Sequence, residues 1–327
     1  MTEVLTHQEH HAAADLVRAR VTETAPRPTP PPVRPGRRWG QGPLALAFLS
    51  PTLLVFGVFV LFPVLFSFYL SFTEWNLFGG QAGFIGVDNY TRLFADPEFW
   101  QVFVNTAVYT VATVPLNMAL ALATAFFLHQ KIVGTPFLRA AFFSPVVISA
   151  VAAAVVWRWV FDPNLGLANA ALEGLGLPAV NWINDPTAAM GALILVGVWK
   201  SFGVNMVLFA AGLASIPTHY YEAARIDGAN GWERFFHITL PLLAPTTLFV
   251  LVFSMIGSFQ VFDLVFVLTN GGPLGATKVL VVYLYEHAFK FFDMGYASAV
   301  AYVLFAVLFA LTLVQIRAFK GRGFNPA

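Results

Sequence analysis

The sequence contains no cysteine and few charged residues. With 0 cysteines among 327 residues, the chain can form no disulfide bond, cysteine nucleophile or thiolate metal site. Only 11% of its residues are charged and 58% are hydrophobic, whereas about a quarter of the residues of soluble domains are charged. This balance predicts a protein of the lipid bilayer. A net charge of +1 gives no reason to expect a nucleic-acid partner.

Six apolar runs are each long enough to cross the bilayer as a helix, which takes about 20 residues. They cover residues 44–72, 99–128, 137–160, 188–213, 238–262 and 295–316. No long soluble insertion separates them. We therefore expect an all-α membrane protein in which residues 44–320 form a domain of six transmembrane helices.

The two ends of the chain differ from this domain. Residues 1–43 hold seven prolines between Pro26 and Pro43, a composition that predicts a disordered tail. The first apolar run follows this tail too late for a cleavable signal peptide. We therefore expect the first span to be retained as a membrane helix, and residues 321–327 to form a short polar end.

Lysine and arginine in the short loops predict the orientation, because cytoplasmic loops carry the excess of both. If both termini are cytoplasmic, ten basic residues fall on that side and three on the other. The ten are Arg34, Arg37, Arg38, Lys131, Arg139, Arg225, Arg234, Arg317, Lys320 and Arg322, and the three are Arg92, Lys278 and Lys290. Both termini and the loop at 218–241 are thus predicted to be cytoplasmic.

Polar residues occur inside the predicted spans. Thr106, Thr110, Thr113, Asn117 and Thr124 follow one another at helical spacing on one face of the second span. Such a stripe either forms hydrogen bonds between packed helices or lines a cavity. Further candidates for a substrate pathway are Asn205, Ser254, Ser258, Gln260, Asp263 and Tyr302.

Lys200 lies near the middle of the fourth span, where a lysine costs about 2.5 to 3.5 kcal/mol on insertion scales. Its ammonium group should therefore face the interior of the bundle. There it has three open interpretations: a structural ion pair, a contact with a carbonyl group, or a contact with substrate.

Catalytic patterns are absent from the sequence. It has no G-x-x-x-x-G-K-[ST] phosphate loop, so the chain by itself lacks the usual cradle for ATP. Its histidines do not cluster with carboxylates on a rigid element, which argues against a metal site. We expect neither enzymatic activity nor a cofactor in this chain.

The segment EAARIDGANGWERFFHITLP at 222–241 is polar although it lies between two apolar runs. It resembles the cytoplasmic EAA loop of permease subunits in binding-protein-dependent ABC importers. That pattern is E-A-A, three residues, G, nine residues, and I-x-L-P. The residues that match it are Glu222, Ala223, Ala224, Gly228, Ile238, Leu240 and Pro241.

Other stretches resemble the carbohydrate-uptake branch of that family. They include FIGVDNYTRLF at 84–94, VWKSFGVNMVLFAAGLASIP at 198–217 and FDLVFVLTNGGPLGAT at 262–277. The likeness extends from about residue 44 to the C-terminus and is similar to permeases for maltose-type sugars and glycerol phosphate. It implies the type I ABC importer permease fold in a bacterial or archaeal cytoplasmic membrane.

The resemblance also implies partners and residue roles. A second permease subunit would complete a heterodimeric pore, two ATPase subunits would bind ATP and magnesium, and an external solute-binding protein would deliver a carbohydrate. Residues 222–228, with Asp227 among them, would dock in a cleft of an ATPase subunit. The alternatives are a secondary transporter, which would need mid-span carboxylates, and a permease for glycerol phosphate or another small polar solute.

Overall fold

The computed structural model describes residues 41–76, 78–79, 83–130 and 133–320. Most of the predicted tail, Lys131 and the predicted end at 321–327 lie outside these residues. The chain divides into two compact units, Met1–Leu61 and Phe62–Ala327. The described part of the first unit is helix α1, Gln41–Phe56, followed by a π-helical turn at Gly57–Leu61. Residues 41–43 are therefore helical, although the sequence assigned them to the tail.

The second unit is almost entirely helical. A single hairpin interrupts it among the described residues, in which Thr73 pairs with Phe84. The elements are α2 Phe62–Leu70, β1 Thr73–Glu74, β2 Gly83–Phe84, α3 Asp88–Ala95, α4 Pro97–His129, α5 Thr135–Val147, α6 Ala150–Val160, α7 Leu167–Gly174, α8 Pro186–Ala214, α9 Thr218–Ile226, α10 Gly231–Arg234, α11 Leu240–Leu242, α12 Ala244–Phe259, α13 Asp263–Leu268, α14 Leu280–Tyr285 and α15 Met294–Lys320. Two further π-helical turns cover Phe235–Thr239 and Glu286–Lys290.

The prediction of a helical membrane protein is confirmed. Five described segments have the length and apolar composition of a membrane span: Ala45–Leu70, Pro97–His129, Pro186–Ala214, Ala244–Leu268 and Met294–Lys320. A sixth crossing requires the pair α5 and α6, which together cover the predicted third span. The first, second, fourth and sixth predicted spans agree with these segments to within a few residues.

The third span is not the single helix that its apolar run indicated. Helices α5 and α6 are bent by 97° at a break where Ile148 and Ser149 adopt extended backbone angles. Pro145 lies one turn before the break and has no N–H group to donate to the Ala141 carbonyl. The Ser144 hydroxyl donates to that carbonyl instead. Hydropathy counts apolar residues and does not register where the backbone leaves the helical conformation.

The fifth span begins six residues later than expected and includes Asp263. The segment 235–243 contains the π-helical turn and the short helix α11 instead of the start of a long helix. Pro245 occupies the first turn of the long helix α12, a position that tolerates its missing N–H group, and Pro241 lies in the short helix α11. Pro245, four residues after Pro241, was the signal in the sequence that the long helix begins later.

Helices α4 and α8 pack along each other and form the centre of the second unit. Glycines of α8 permit close contacts with neighbouring elements. A Cβ atom on Gly197 would overlap the Tyr109 hydroxyl of α4, and one on Gly203 would lie 2.6 Å from the Phe142 carbonyl oxygen of α5. The backbones of α8 and α5 therefore touch, which no larger residue allows.

Polar side chains form hydrogen bonds and ion pairs at the end of the bundle where α4 begins. Asp96 caps α4 through the Glu98 amide and accepts hydrogen bonds from the hydroxyl groups of Tyr283 and Tyr296. Beside it, Lys278 forms ion pairs with Glu98 and Glu286, each at 2.8 Å. Lys290 forms a further pair with Glu286 at 2.8 Å.

The pKa of Glu286 follows from this cluster. Burial alone would raise the pKa, but hydrogen bonds from Lys278 and Lys290 outweigh it and hold the pKa below the usual value of 4.5. The ionised carboxylate thus contributes stability that is present above pH 4.5 and is lost as the pH falls through the depressed pKa.

Substituting Gly203 by alanine should destabilise the protein because the new methyl group would collide with the backbone of α5. Overpacking of this kind costs about 1–3 kcal/mol. Gly191→Ala in the same helix is the control, since nothing lies within 4 Å of its Cβ position, and it should be neutral or stabilising by up to about 1 kcal/mol. Thermal unfolding of the two purified variants measures the difference, and equal melting temperatures would contradict the close contact.

The stability of the wild-type protein should fall below about pH 4.5 as Glu286 takes up a proton. Glu286→Gln should be less stable than the wild type at neutral pH and should lose less stability on acidification. Melting temperatures measured across this pH range test the expectation. Parallel profiles for the two proteins would show that the carboxylate is not responsible.

Candidate functional site

A polar cavity lies near the middle of the bundle, between helices α4, α8 and α12. Its volume is about 310 Å³, which is within the range of small-molecule sites. Most of the surrounding bundle is apolar, so the concentration of amide, hydroxyl and charged groups distinguishes this cavity. Its polar lining residues are Tyr109, Thr113, Asn117, Lys200, Ser201, Asn205, Ser254, Ser258, Gln260 and Asp263.

The cavity is located where two spans are interrupted. Ala150, the first residue of α6, borders it at the break after α5, and residues 260–263 border it at the break between α12 and α13. Backbone that leaves the helical conformation at this depth has to be buried in protein or to face water. The interruptions therefore account for both the position of the cavity and its polar character.

A chain of hydrogen bonds runs across one wall of the cavity. The Asn205 amide donates to the Asn117 carbonyl oxygen at 2.6 Å and to the Ser254 hydroxyl at 2.7 Å. Asn117 in turn donates to the Ser201 hydroxyl at 2.7 Å. These bonds join α4, α8 and α12 and orient the amide groups, because a buried amide must satisfy its donors and acceptors.

Lys200 satisfies the broken end of α5. Its ammonium group donates to the Val146 carbonyl oxygen at 3.2 Å, one of the carbonyls that the last turn of a helix leaves without a partner. Within the described part of the chain Lys200 forms no ion pair. Of the three interpretations from the sequence, the carbonyl contact is the one observed.

Seven of the eight predicted pathway residues lie at this cavity. They are Asn117, Lys200, Asn205, Ser254, Ser258, Gln260 and Asp263. Tyr302 lies elsewhere, on α15, where its hydroxyl bonds to the Val64 carbonyl and approaches Ser67. Asp263 lies just after the fifth apolar run, 238–262, but it belongs to the candidate span Ala244–Leu268, so the predicted end of that span was too early. A role of any of these residues in transport stays a prediction.

Four of the five residues in the polar stripe of the second span divide between the two interpretations that it allowed, and Thr124 lies at a different groove. Thr113 and Asn117 border the cavity. Thr106 and Thr110 instead pack against other helices, where the Thr106 hydroxyl accepts from the Leu280 amide and Thr110 accepts from Ser258. Helical spacing shows that residues share a face, whereas the neighbouring helices decide what that face meets.

Two polar residues of the cavity were missed from the sequence. Ser201 follows Lys200 directly, so its position within the fourth span was a usable signal. Tyr109 is buried in the cavity wall, with 3% of its surface exposed, and packs against Gly197. No sequence pattern distinguishes this tyrosine from those at membrane interfaces.

The segment 218–241 forms a second candidate site near the C-terminal end of α4, where Phe126 packs against Phe235. Helix α9 has no buried residue, and Ile226 at its end is 87% exposed. Gly228 terminates the helix with a φ of +82°, and the Ala229 amide donates to the Ala224 carbonyl at 2.9 Å, as in a Schellman motif. Asn230 and Glu233 then form a capping box that starts α10.

The matched residues of this segment have distinct environments. Glu222, Ala223 and Asp227 are exposed, and Ala224 is half-buried. Ile238 lies in the π-helical turn, and Leu240 and Pro241 lie in α11. The Tyr221 and Thr239 hydroxyl groups form a hydrogen bond of 3.0 Å, which joins α9 to the residues that lead into α12.

Comparisons with known proteins show which proteins this chain resembles. A family model described as "Binding-protein-dependent transport system inner membrane component" matches residues 41–322. The probable ABC transporter permease protein YurN of Bacillus subtilis is 39% identical over 277 residues, which are 84% of this chain and 94% of that protein. The arabinooligosaccharides transport system permease protein AraP of the same organism is 36% identical over 282 residues, 84% of this chain and 89% of that protein.

A solved structure has the same fold. It is a chain of a bacterial ABC transporter involved in the import of the acidic polysaccharide alginate. The TM-score is 0.73 at 23% identity, and the match covers 86% of this chain and 96% of that one. The type I ABC importer permease fold expected from the sequence is thereby confirmed.

Cysteine substitutions should distinguish the cavity from the packed part of the polar stripe. Ser254→Cys should react with a small polar thiol reagent because Ser254 borders the cavity. Thr106→Cys should be protected because Thr106 is fully buried between helices. The cysteine-free wild type provides the background for a labelling-rate measurement in membranes. Equal labelling of the two variants would contradict the assignment.

Proposed function

Because the chain belongs to the family of binding-protein-dependent transport system inner membrane components, we propose that it is the transmembrane subunit of an ATP-driven sugar importer. It forms half of the translocation pore and pairs with a second permease subunit. Two ATPase subunits bind ATP and magnesium and drive alternating access, and an external solute-binding protein delivers the sugar. The loop at 218–241 and both termini then lie in the cytoplasm.

The observation that carries this proposal is the exposure of α9. A helix that carries Ile226 at 87% exposure and buries none of its own residues presents a surface that requires a partner. The exposed Ala223 and half-buried Ala224 are small, so another protein can approach the helix closely. Glu222 and Asp227 supply polar contacts at the edge of this surface.

The geometry supports a route from α9 to the cavity. The hydrogen bond between the Tyr221 and Thr239 hydroxyl groups connects α9 to the segment before α12, so a displacement of α9 would move Thr239. That segment, which contains Ile238, Leu240 and Pro241, leads directly into α12. Helix α12 carries Ser254 and Ser258 of the cavity. Closure of the ATPase pair on ATP therefore has a path by which it shifts the pore between two states.

The chemistry of the cavity suits a carbohydrate. A sugar presents many hydroxyl groups, each of which donates and accepts hydrogen bonds, and the amides and hydroxyls of the wall do the same. The name of the relative AraP, which refers to arabinooligosaccharides, points to the same class of solute. Identification of the ligand held by the binding protein that co-purifies with this chain tests the substrate class.

A second candidate is a permease for glycerol phosphate or another small anionic solute. Its supporting observation is Lys200, whose ammonium group borders the cavity without an ion pair among the described residues. Lys200→Met should then lower transport of a phosphorylated solute more than transport of a neutral sugar. Both solutes are affected by the lost contact with the Val146 carbonyl, but only the phosphorylated one also loses a cationic partner. Competition between the two solutes in vesicles separates the candidates.

Substituting Gly228 by valine should impair both uptake and solute-stimulated ATP hydrolysis. The residue has a φ of +82°, and a side chain there strains the backbone by about 1–2 kcal/mol, which corresponds to roughly a tenfold loss when it displaces the docked helix. We expect uptake and solute-stimulated ATPase activity to fall together in the reconstituted complex, while membrane insertion is retained.

Gly231→Ala is the matched control in the same loop. Gly231 is the first residue of α10, its φ is not positive, and nothing lies within 4 Å of its Cβ position. This variant should transport at the wild-type rate. Normal uptake and normal stimulated ATPase activity in Gly228→Val would refute the role of the α9 turn.

A further inference from the structure

An apolar groove runs along the half of α4 that ends at His129, beside α10. Ala119, Leu122, Ala123 and Phe126 form its floor at helical spacing, so they share one face of α4 over about 10 Å. Phe235 closes one side and packs edge-on against the Phe126 ring at 5.1 Å between centroids. The groove has a volume of about 660 Å³.

One end of this groove is polar and basic. Gln130, Trp232 and Arg234 line it there. The Arg234 Nε atom donates to the Asn230 carbonyl at 3.3 Å, and no carboxylate in the described ranges forms an ion pair with the guanidinium group. The Trp232 side chain is 73% exposed.

This distribution matches the layers of a membrane. The floor belongs to the candidate span Pro97–His129, whereas Gln130 follows directly after it, at the depth of the lipid headgroups. Tryptophan is enriched at that depth, and basic pockets between membrane helices bind anionic headgroups. Arginine binds phosphate oxygens with two parallel hydrogen bonds.

We propose that the groove binds an anionic phospholipid of the surrounding bilayer. An acyl chain lies along Ala119, Leu122, Ala123 and Phe126, and the phosphate group bonds to Arg234 beside the Trp232 indole. The lipid thereby joins α4 to the residues that follow α9. This inference is independent of the identity of the transported solute.

A helix from another subunit fits the groove less well. Such a helix would remove Arg234 from water and would have to supply a carboxylate at the edge of the bilayer, because an unpaired buried charge is costly. A phospholipid carries its own negative charge next to its acyl chains. Charge complementarity therefore favours the lipid.

Quenching of Trp232 fluorescence by brominated lipids tests the proposal. The full chain, with the subunits that co-purify with it, is reconstituted in phosphatidylcholine nanodiscs that contain brominated phosphatidylglycerol or, at the same mole fraction, brominated phosphatidylcholine. The difference between wild type and Trp232→Phe isolates the signal of this residue. We expect half-maximal quenching at an about fivefold lower fraction of brominated phosphatidylglycerol, the preference that one basic residue gives.

Substitutions then assign the preference to Arg234. Arg234→Gln should abolish it, Arg234→Lys should keep part of it, and Arg225→Gln, in the exposed helix α9, should leave it unchanged. Equal quenching of wild-type Trp232 by the two lipids would overturn the proposal, and this measurement needs no variant at Arg234. Absence of quenching by either lipid would also overturn it, because another subunit would then cover the groove.

Discussion

The requirement that every backbone polar group find a partner in an apolar solvent shapes this molecule. Long helices satisfy it within themselves, and α4, α8 and α15 do so over most of their length. At the two interruptions, after α5 and after α12, the backbone has to find other partners. Lys200 supplies one of them at Val146, and the cavity is bordered by residues of both interruptions. The cavity and the broken helices are therefore one feature.

The same arrangement connects the cavity to the exposed loop. Helix α12 begins next to the turn that holds Thr239 and ends among the cavity residues. Its 16 residues span about 24 Å, so α12 is the rigid element on which the proposed coupling depends. Gly197 and Gly203 place α8 in close contact with its neighbours.

The fold was predictable to the extent that it follows from hydropathy. Apolar runs located the second, fourth and sixth spans because each run is one unbroken helix. The same criterion failed at Ile148 and Ser149, where both flanking segments are apolar but the backbone is extended. It failed again at 238–243, where apolar residues occupy a π-helical turn and a single helical turn before α12.

The sequence predicted most of the polar residues at the candidate site, but it did not predict which residues contact one another. Polar residues inside apolar spans are costly, so Asn117, Lys200 and Asn205 stood out by their depth alone. Spacing along one helix could not tell that Thr106 packs against Leu280 while Asn117 meets Asn205. Tyr302 has the same chemistry as a cavity residue, yet it faces α2 because of where α15 lies.

The sequence by itself determined that the chain enters a membrane as helices, and it located the loop at 222–241, because hydropathy and a contiguous motif are properties of neighbouring residues. Only the tertiary structure decided that Lys200 bonds to Val146, that Asp263 belongs to the cavity, and that Arg234 stands at the end of a groove on α4. These relations join residues that are distant in the chain, and they depend on how the helices bend and pack.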